Sequence, residues 1–498
     1  PYAHNWRSFF KRYESDVITN APVKIYVPEF PIIRILPPGL EDNTNVLPEE
    51  VLAAARQGAW SRVASILQEE LQKPNDPEIK KLLALTFGEA LMHTESFSGA
   101  YKQLYLLREK YPQEQVGIFA AFLIAILVAI YDDPYSADFE LKELISKIRK
   151  DNPLTPYLQI AIAETCLATD QIERLGQILK RDDIGYPDEI EFRRELRQAD
   201  YLYASEKPVK AYVSYQLVSK DFDLNAHPYS LNGYCTTLYN QASYTESADC
   251  YKKLTDLLDN RDELGKSYFR AAMSKLKLLD DPGDMISDFS RIEDAFPGTE
   301  AGYRAALKKT DIQYITRNQW SDTAIKYYHA LADKSIYRPV GEEAYFKEAL
   351  LYHLTGNNSK SIELTMTLLR NFRSGPIRPH AEALLIQLLP GELKKLVEEK
   401  DYTAALALAR QNRKLFENNW INVSILSELA FSYRQLGIYS DAIRLYQYLA
   451  QISGIEEKEE YFLPLVELAF DKGDYELVED YSTQYFYYYP QGSYLNDI

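Results

Sequence analysis

An aromatic residue returns at a steady stride along this chain: Trp60 and Phe97 are 37 residues apart, Tyr402 and Tyr439 are 37 apart, and Tyr475 follows after 36. A period of this size is the strongest constraint the sequence carries, because a unit so short cannot enclose a core of its own and must stack on its neighbours. Tyr244 and Trp320 belong to the same series, and the longer gaps fit whole numbers of similar units, with less regular ones around Asp133, Gln171, Pro208 and Asp284. Between the aromatic markers, apolar residues recur three and four apart, broken by Gly, Asn, Asp and Pro, which is the pattern of helix, turn, helix. The stride predicts about twelve helical hairpins. The interval from Asn358 to Tyr402 is 44, which predicts an inserted turn near Pro376 to Pro390.

The clearest unit runs from Val423 to Glu456. Leu426, Leu429, Ala430 and Tyr433 lie on a first helix, Gly437 and Tyr439 mark the turn, and Ala442, Tyr446 and Leu449 lie on a second. Ala430 and Ala442 are small where two helices must approach closely, while the tyrosines fill the space toward the next hairpin. The same order appears in Tyr345, Ala349, Tyr352, Gly356 and Ser361, although Asn358 stands where an aromatic is usual. It appears again in Leu231, Cys235, Leu238, Tyr244, Ser247, Tyr251 and Leu254, near the start in Phe87, Gly88, Leu91, Phe97, Ala100 and Pro112, and at the end in Phe462, Leu465, Gly473, Tyr475 and Pro490. These residues at these spacings resemble the tetratricopeptide repeat, and among its members the bacterial envelope-type α-solenoids. The resemblance implies an all-α fold, an α-α superhelix of helical hairpins.

Ahead of the repeats, Asn5 to Tyr13 is a short helical candidate, and Val23 to Gly39 is rich in β-branched residues but broken by Pro28, Pro31, Pro37 and Pro38. Proline cannot donate to a central ladder, so this stretch is expected as an extended strap along the first helices or a strand added to a partner's sheet. The expected organisation is a strap over 1–46, a solenoid with degenerate repeats over 47–390 and a C-terminal set of repeats over 391–498.

With 73 acidic and 56 basic side chains the net charge is −17, spread along the chain, which disfavours nucleic acid and anionic membrane as partners. The longest apolar run, Val116 to Tyr131, is shorter than the stretch of about 20 residues that spans a bilayer, and is expected to be a core helix, not a membrane span. Cys166, Cys235 and Cys250 have no metal-ligand spacing and are read as small buried side chains, with Cys235 and Cys250 the pair that could bond. The six histidines are scattered, no phosphate-binding glycine loop or nucleophile elbow is present, and DDPGD (Asp280 to Asp284) lacks the alternating ligands of a calcium loop. No catalytic residue, cofactor or metal is therefore expected, and the acidic pairs at 132–133, 182–183 and 280–281 read as helix caps.

What the resemblance implies about function is a non-enzymatic scaffold for protein–protein interaction, with a concave groove lined mainly by the first helix of each hairpin. The repeat frame puts Tyr229, Tyr239, Phe346, His353, Phe431 and Arg434 on that inner face. Family members that hold a C-terminal carboxylate use a clamp of lysine, asparagine and arginine, and these positions lack its basic residues. The C-terminal tyrosine knot adds Tyr487, Tyr488 and Tyr489 as a second contact surface, because aromatics with a polar tip bury much area at low entropic cost. A place in a bacterial envelope assembly, such as a secretion, pilus, exopolysaccharide or flagellar-motor complex, is expected. The non-Met start, the sparse cysteine and the strap point that way. A periplasmic glycan-binding module and a cytoplasmic regulatory adaptor are the alternatives.

Overall fold

The computed structural model describes residues 6–12, 40 and 46–498, apart from 132, 181–183, 222, 318–320, 336–337 and 418–422. The extended stretch Val23 to Gly39 of the proposed strap, Trp320 and the acidic residues at 132 and 182–183 lie outside the described residues. All regular structure among the described residues is helical, in successive antiparallel pairs. The chain divides into two compact units, one of residues 18–281 and one of residues 1–17 with 282–498.

The short helix at the N-terminus, α1 (Arg7–Arg12), belongs to the second of these units. The unit of residues 18–281 holds six hairpins: α2 (Glu49–Arg56) with α3 (Trp60–Glu70), α4 (Pro77–His93) with α5 (Phe97–Lys110), α6 (Gln115–Tyr131) with α7 (Pro134–Lys147), α8 (Thr155–Ala168) with α9 (Ile172–Leu179), α10 (Asp188–Ala204) with α11 (Pro208–Asp221), and α12 (Pro228–Asn240) with α13 (Tyr244–Thr255). A final helix, α14 (Arg261–Leu276), packs on α13. The apolar run of the sequence is α6, whose Phe119, Phe122, Ile124 and Ile126 are buried among α4, α5, α7 and α8. No helix among the described residues is long and apolar enough to cross a membrane.

The other unit begins with α15 (Ile286–Ala295) and continues with α16 (Glu300–Thr316) and α17 (Ser321–Lys334), α18 (Pro339–Leu354) and α19 (Asn358–Asn371), and α20 (Arg378–Glu398) and α21 (Tyr402–Gln411). After the short α22 (Arg413–Glu417) come α23 (Val423–Gln435) with α24 (Tyr439–Ile452), then α25 (Ile455–Lys458), and α26 (Phe462–Lys472) with α27 (Tyr475–Tyr488). The markers Trp60, Phe97, Tyr244, Tyr402, Tyr439 and Tyr475 are each the first residue of a second helix. Ala430 and Ala442 are buried where α23 and α24 cross, as their size requires.

Nine of the hairpins share one turn. At Gly58, Glu95, Asp170, Glu206, Ala242, Gly356, Lys400, Gly437 and Gly473, φ lies between +56° and +89°. The next residue's N–H reaches back to the last turn of the first helix, as Ile438 does to Tyr433 O at 2.9 Å and Ser243 to Leu238 O at 3.0 Å. This left-handed closure satisfies carbonyls that the helix end leaves open. The irregular hairpins around Gln171 and Pro208 therefore keep the turn with Asp170 and Glu206 in place of glycine. At Ala242 the methyl group is held in a region that disfavours L-residues, so Ala242→Gly is expected to stabilise the unit by about 0.5–1 kcal/mol, read as a higher urea midpoint at unchanged slope.

The return turns impose the opposite demand. Gly117, Gly302 and Gly341 are each the third residue of a first helix, and a Cβ there would stand 1.9, 2.1 and 2.1 Å from the carbonyl oxygens of Tyr111, Phe296 and Ser335. Alanine ordinarily helps a helix interior. Gly302→Ala is nonetheless expected to destabilise by about 1–3 kcal/mol, because backbone and not a flexible side chain must move, and a raised melting temperature would refute this account.

Two expectations are corrected here. The 44-residue interval is not an inserted turn; it is absorbed by α20, 21 residues long, with Pro390 inside it. Leu384, Leu385, Leu388 and Leu389, before the proline, join the core of α16 to α19, and Leu393 and Val397, after it, join that of α21 and α23. The second correction concerns the cysteines: Cys235 and Cys250 are not merely small packing residues but a disulfide between α12 and α13, Cα atoms 5.4 Å apart. The turn brings the small position of one helix opposite the facing position of the next, and Cys166 remains a buried thiol.

Candidate functional site: a groove filled by an aromatic helix

Trp6, the turn residue just before α1, and Phe9 and Phe10 within it are spaced i, i+3 and i+4, so their rings lie on one side together. All three are buried in the core of α16 to α20. Phe9 meets Phe346 of α18 at 5.1 Å and His380 of α20 at 5.4 Å, both edge-on. Phe10 lies between Tyr314 of α16, at 4.8 Å, and Tyr328 of α17, at 6.1 Å. Trp6 is edge-on to Phe346 at 6.1 Å, and its indole N–H donates to Gln387 Oε1 at 2.8 Å. Such pairs add about 0.5–1.5 kcal/mol each beyond the area they bury.

Beneath the rings the floor is charged. Lys347 Nζ, fully buried and 6.0 Å from the Phe9 ring, bonds to Asp311 and Glu343 at 2.7 Å each. Lys308 approaches Asp311 at 3.3 Å, Arg304 pairs with Glu300 at 2.8 Å, and the Tyr328 hydroxyl donates to Asp311 Oδ1 at 2.7 Å. Three cations face three carboxylates, so the cluster is neutral. Burial alone would lower the Lys347 pKa, but Asp311 and Glu343 beside it outweigh that and hold the ammonium charged. A comparable network crosses the other unit, where Arg197 of α10 donates to Glu164 Oε1 of α8 at 2.8 Å and to Ser230 Oγ of α12 at 3.0 Å and pairs with Asp200, which also accepts from the Tyr215 hydroxyl at 2.7 Å. Burial opposes the charge on Arg197, and the two carboxylates hold it.

Of the candidate residues read from sequence, Phe346 lies in the groove under Trp6 and Phe9. His353, at the end of the same helix, is 2.9 Å from Asn358 Oδ1 across the turn. Tyr229 is edge-on to Tyr203 at 6.5 Å, and Tyr239 to Tyr244 at 5.4 Å with the Arg270 guanidinium 5.8 Å from its ring. Phe431 is partly exposed, edge-on to Tyr402 at 6.1 Å, and Arg434 pairs with Glu467 of α26. In the C-terminal knot, Tyr481 and Tyr485 are buried, and Tyr489 donates to Ile455 O at 2.6 Å and packs on Phe462. Tyr487 and Tyr488 are 79% and 54% exposed. Replacing both with alanine is expected to change stability by less than about 1 kcal/mol, and loss of helical content in that variant would make the pair part of the core.

The sequence reading missed α1's three rings, Tyr314, His380, Gln387 and Lys347. The available signal was the spacing of Trp6, Phe9 and Phe10 within the short helical candidate, an apolar face that needs a surface to cover.

No family model and no curated protein matches the chain. Among solved structures it is similar to the APC/C hetero-tetramer Cut9–Hcn1, at 12% identity over 90% of this chain and 94% of that one, with a TM-score of 0.29. It is also similar to a Rap protein complexed with Competence and Sporulation Factor, at 12% identity over 69% of this chain and 98% of that one, with a TM-score of 0.40.

Proposed function

We propose that this chain is a non-enzymatic scaffold that holds partner proteins in a bacterial envelope assembly. The observation that carries the scaffold reading is the occupied groove: first helices of successive hairpins, α16, α18 and α20, grip α1, a helix of the same chain that is not one of the repeats, through its aromatic face. That is the helix-in-groove mode of peptide recognition. The Cys235–Cys250 bond supports an oxidising compartment, since such bonds persist in secreted and periplasmic proteins and are rare in the cytosol.

Crosslinking mass spectrometry on protein captured from its native cells, with membrane and soluble fractions kept apart, tests this. A few envelope proteins crosslinked to the inner faces of α16 to α20 or to the Tyr487–Tyr488 end are expected. Recovery of the protein alone, or with cytosolic partners only, would sink the reading.

A further inference from the structure

Helix α1 is not one of the repeats. Its Trp6 bonds to a residue 381 positions away, and every hairpin of the unit it enters is built from residues beyond 281. The stack of α16 to α20 is therefore continuous in sequence without it. At six residues α1 is far below the length of about 12–15 at which an isolated helix holds its shape in water, so the groove supplies its order. Three rings and one indole hydrogen bond make the attachment.

The lining of the groove mixes apolar and polar groups. Its floor is the Phe346 ring flanked by polar groups: Lys347 paired with two carboxylates, the Gln387 amide, the His380 ring and two tyrosines. Such groups rehydrate when the rings leave, whereas a floor of aliphatic side chains would resist exposure. Charge adds direction: the segment around α1 carries Arg7, Lys11 and Arg12, and the chain as a whole has a net charge of −17.

We propose that the groove of α16, α18 and α20 is a receptor for a short basic helix with aromatic side chains at i, i+3 and i+4, and that α1 is its tethered occupant, displaced when a partner protein presents such a helix. This rests on the reading of the chain as a protein-binding scaffold. An occupant on the same chain competes with every ligand that arrives from solution, so it screens out weak ligands and admits those that match its own contacts.

The test uses a fluorescent peptide of residues 1–13 and the full chain, wild type and W6A/F9A/F10A. The peptide is expected to bind the variant saturably and the wild type roughly tenfold or more weakly, and a peptide with the same three alanines to bind neither. Equal affinity for both chains, or no binding to a variant that keeps its helical circular dichroism, overturns the proposal. Should the variant lose its fold, the wild type still decides: in excess peptide, hydrogen exchange over residues 6–12 is expected to accelerate while α16, α18 and α20 stay protected, and no change overturns the idea. Peptide exchange in a protein that has no crosslinked partner in cells would leave the groove assignment standing and remove the scaffold reading instead.

Discussion

Lys347→Ala is expected to lower the stability of the unit of residues 282–498 by about 3–5 kcal/mol, among the largest effects of any single change outside the backbone. Its ammonium is enclosed between Asp311 and Glu343, and the alanine leaves both carboxylates buried with a cation removed. Lys308 and Arg304 remain, but Lys308 is farther from Asp311, at 3.3 Å, and Arg304 from Glu343, at 3.8 Å. Lys347→Met combined with Asp311→Asn is expected to recover part of the loss, since the methionine keeps the volume and the amide removes one unpaired charge. A double variant no more stable than Lys347→Ala would show that neither the lost volume nor the unpaired charge sets the cost, and would overturn this account. Acid probes the same cluster. Burial would raise the Glu343 pKa, yet Lys347, Arg304 and Lys308 hold it below the ordinary carboxylate range. The stability this carboxylate contributes is therefore present above its unfolded pKa of about 4.3 and is lost as pH falls through the lower folded value.

The architecture was readable from sequence because a repeat writes the same physical demand many times. Each marker aromatic among the described residues begins a second helix, and even where Asn358 replaces it the helix still begins there. The turn, however, was legible only where glycine stands in it. Asp170, Glu206, Ala242 and Lys400 adopt the same left-handed conformation because the stacked helices on either side over-determine it, and nothing in those residue types announces this. The 44-residue interval misled for a related reason, since proline usually ends a helix and Pro390 does not.

The groove was half legible. Its Phe346 followed from the repeat frame, because a first-helix position facing inward recurs at a fixed offset. Its occupant did not, since nothing local to Trp6, Phe9 and Phe10 points to a surface more than 300 residues away. Lys347 and Glu343 are four apart on one helix, which on sequence alone reads as an exposed pair. Only the neighbouring α16, bringing Asp311, turns that pair into a buried network.

Reduction of the disulfide is the second change with a large expected effect. Cys235 and Cys250 close a loop of 15 residues, for which the chain-entropy account gives about 3 kcal/mol. Cys235→Ala with Cys250→Ala is expected to lower the stability of the unit of residues 18–281 by that amount, plus a small packing loss, because both sulfurs are buried. Dithiothreitol separates the two contributions: it should lower the unfolding midpoint of the wild type and leave the double alanine variant unmoved. Cys166 does not confuse the result, since burial pushes its thiol up to about 11 and keeps it protonated and unreactive at neutral pH. If the wild type loses nothing on reduction, the bond is incidental to the fold. If it loses the expected amount, this hairpin is weakest wherever thiols are kept reduced, and the chain reaches full stability only in a compartment that oxidises it.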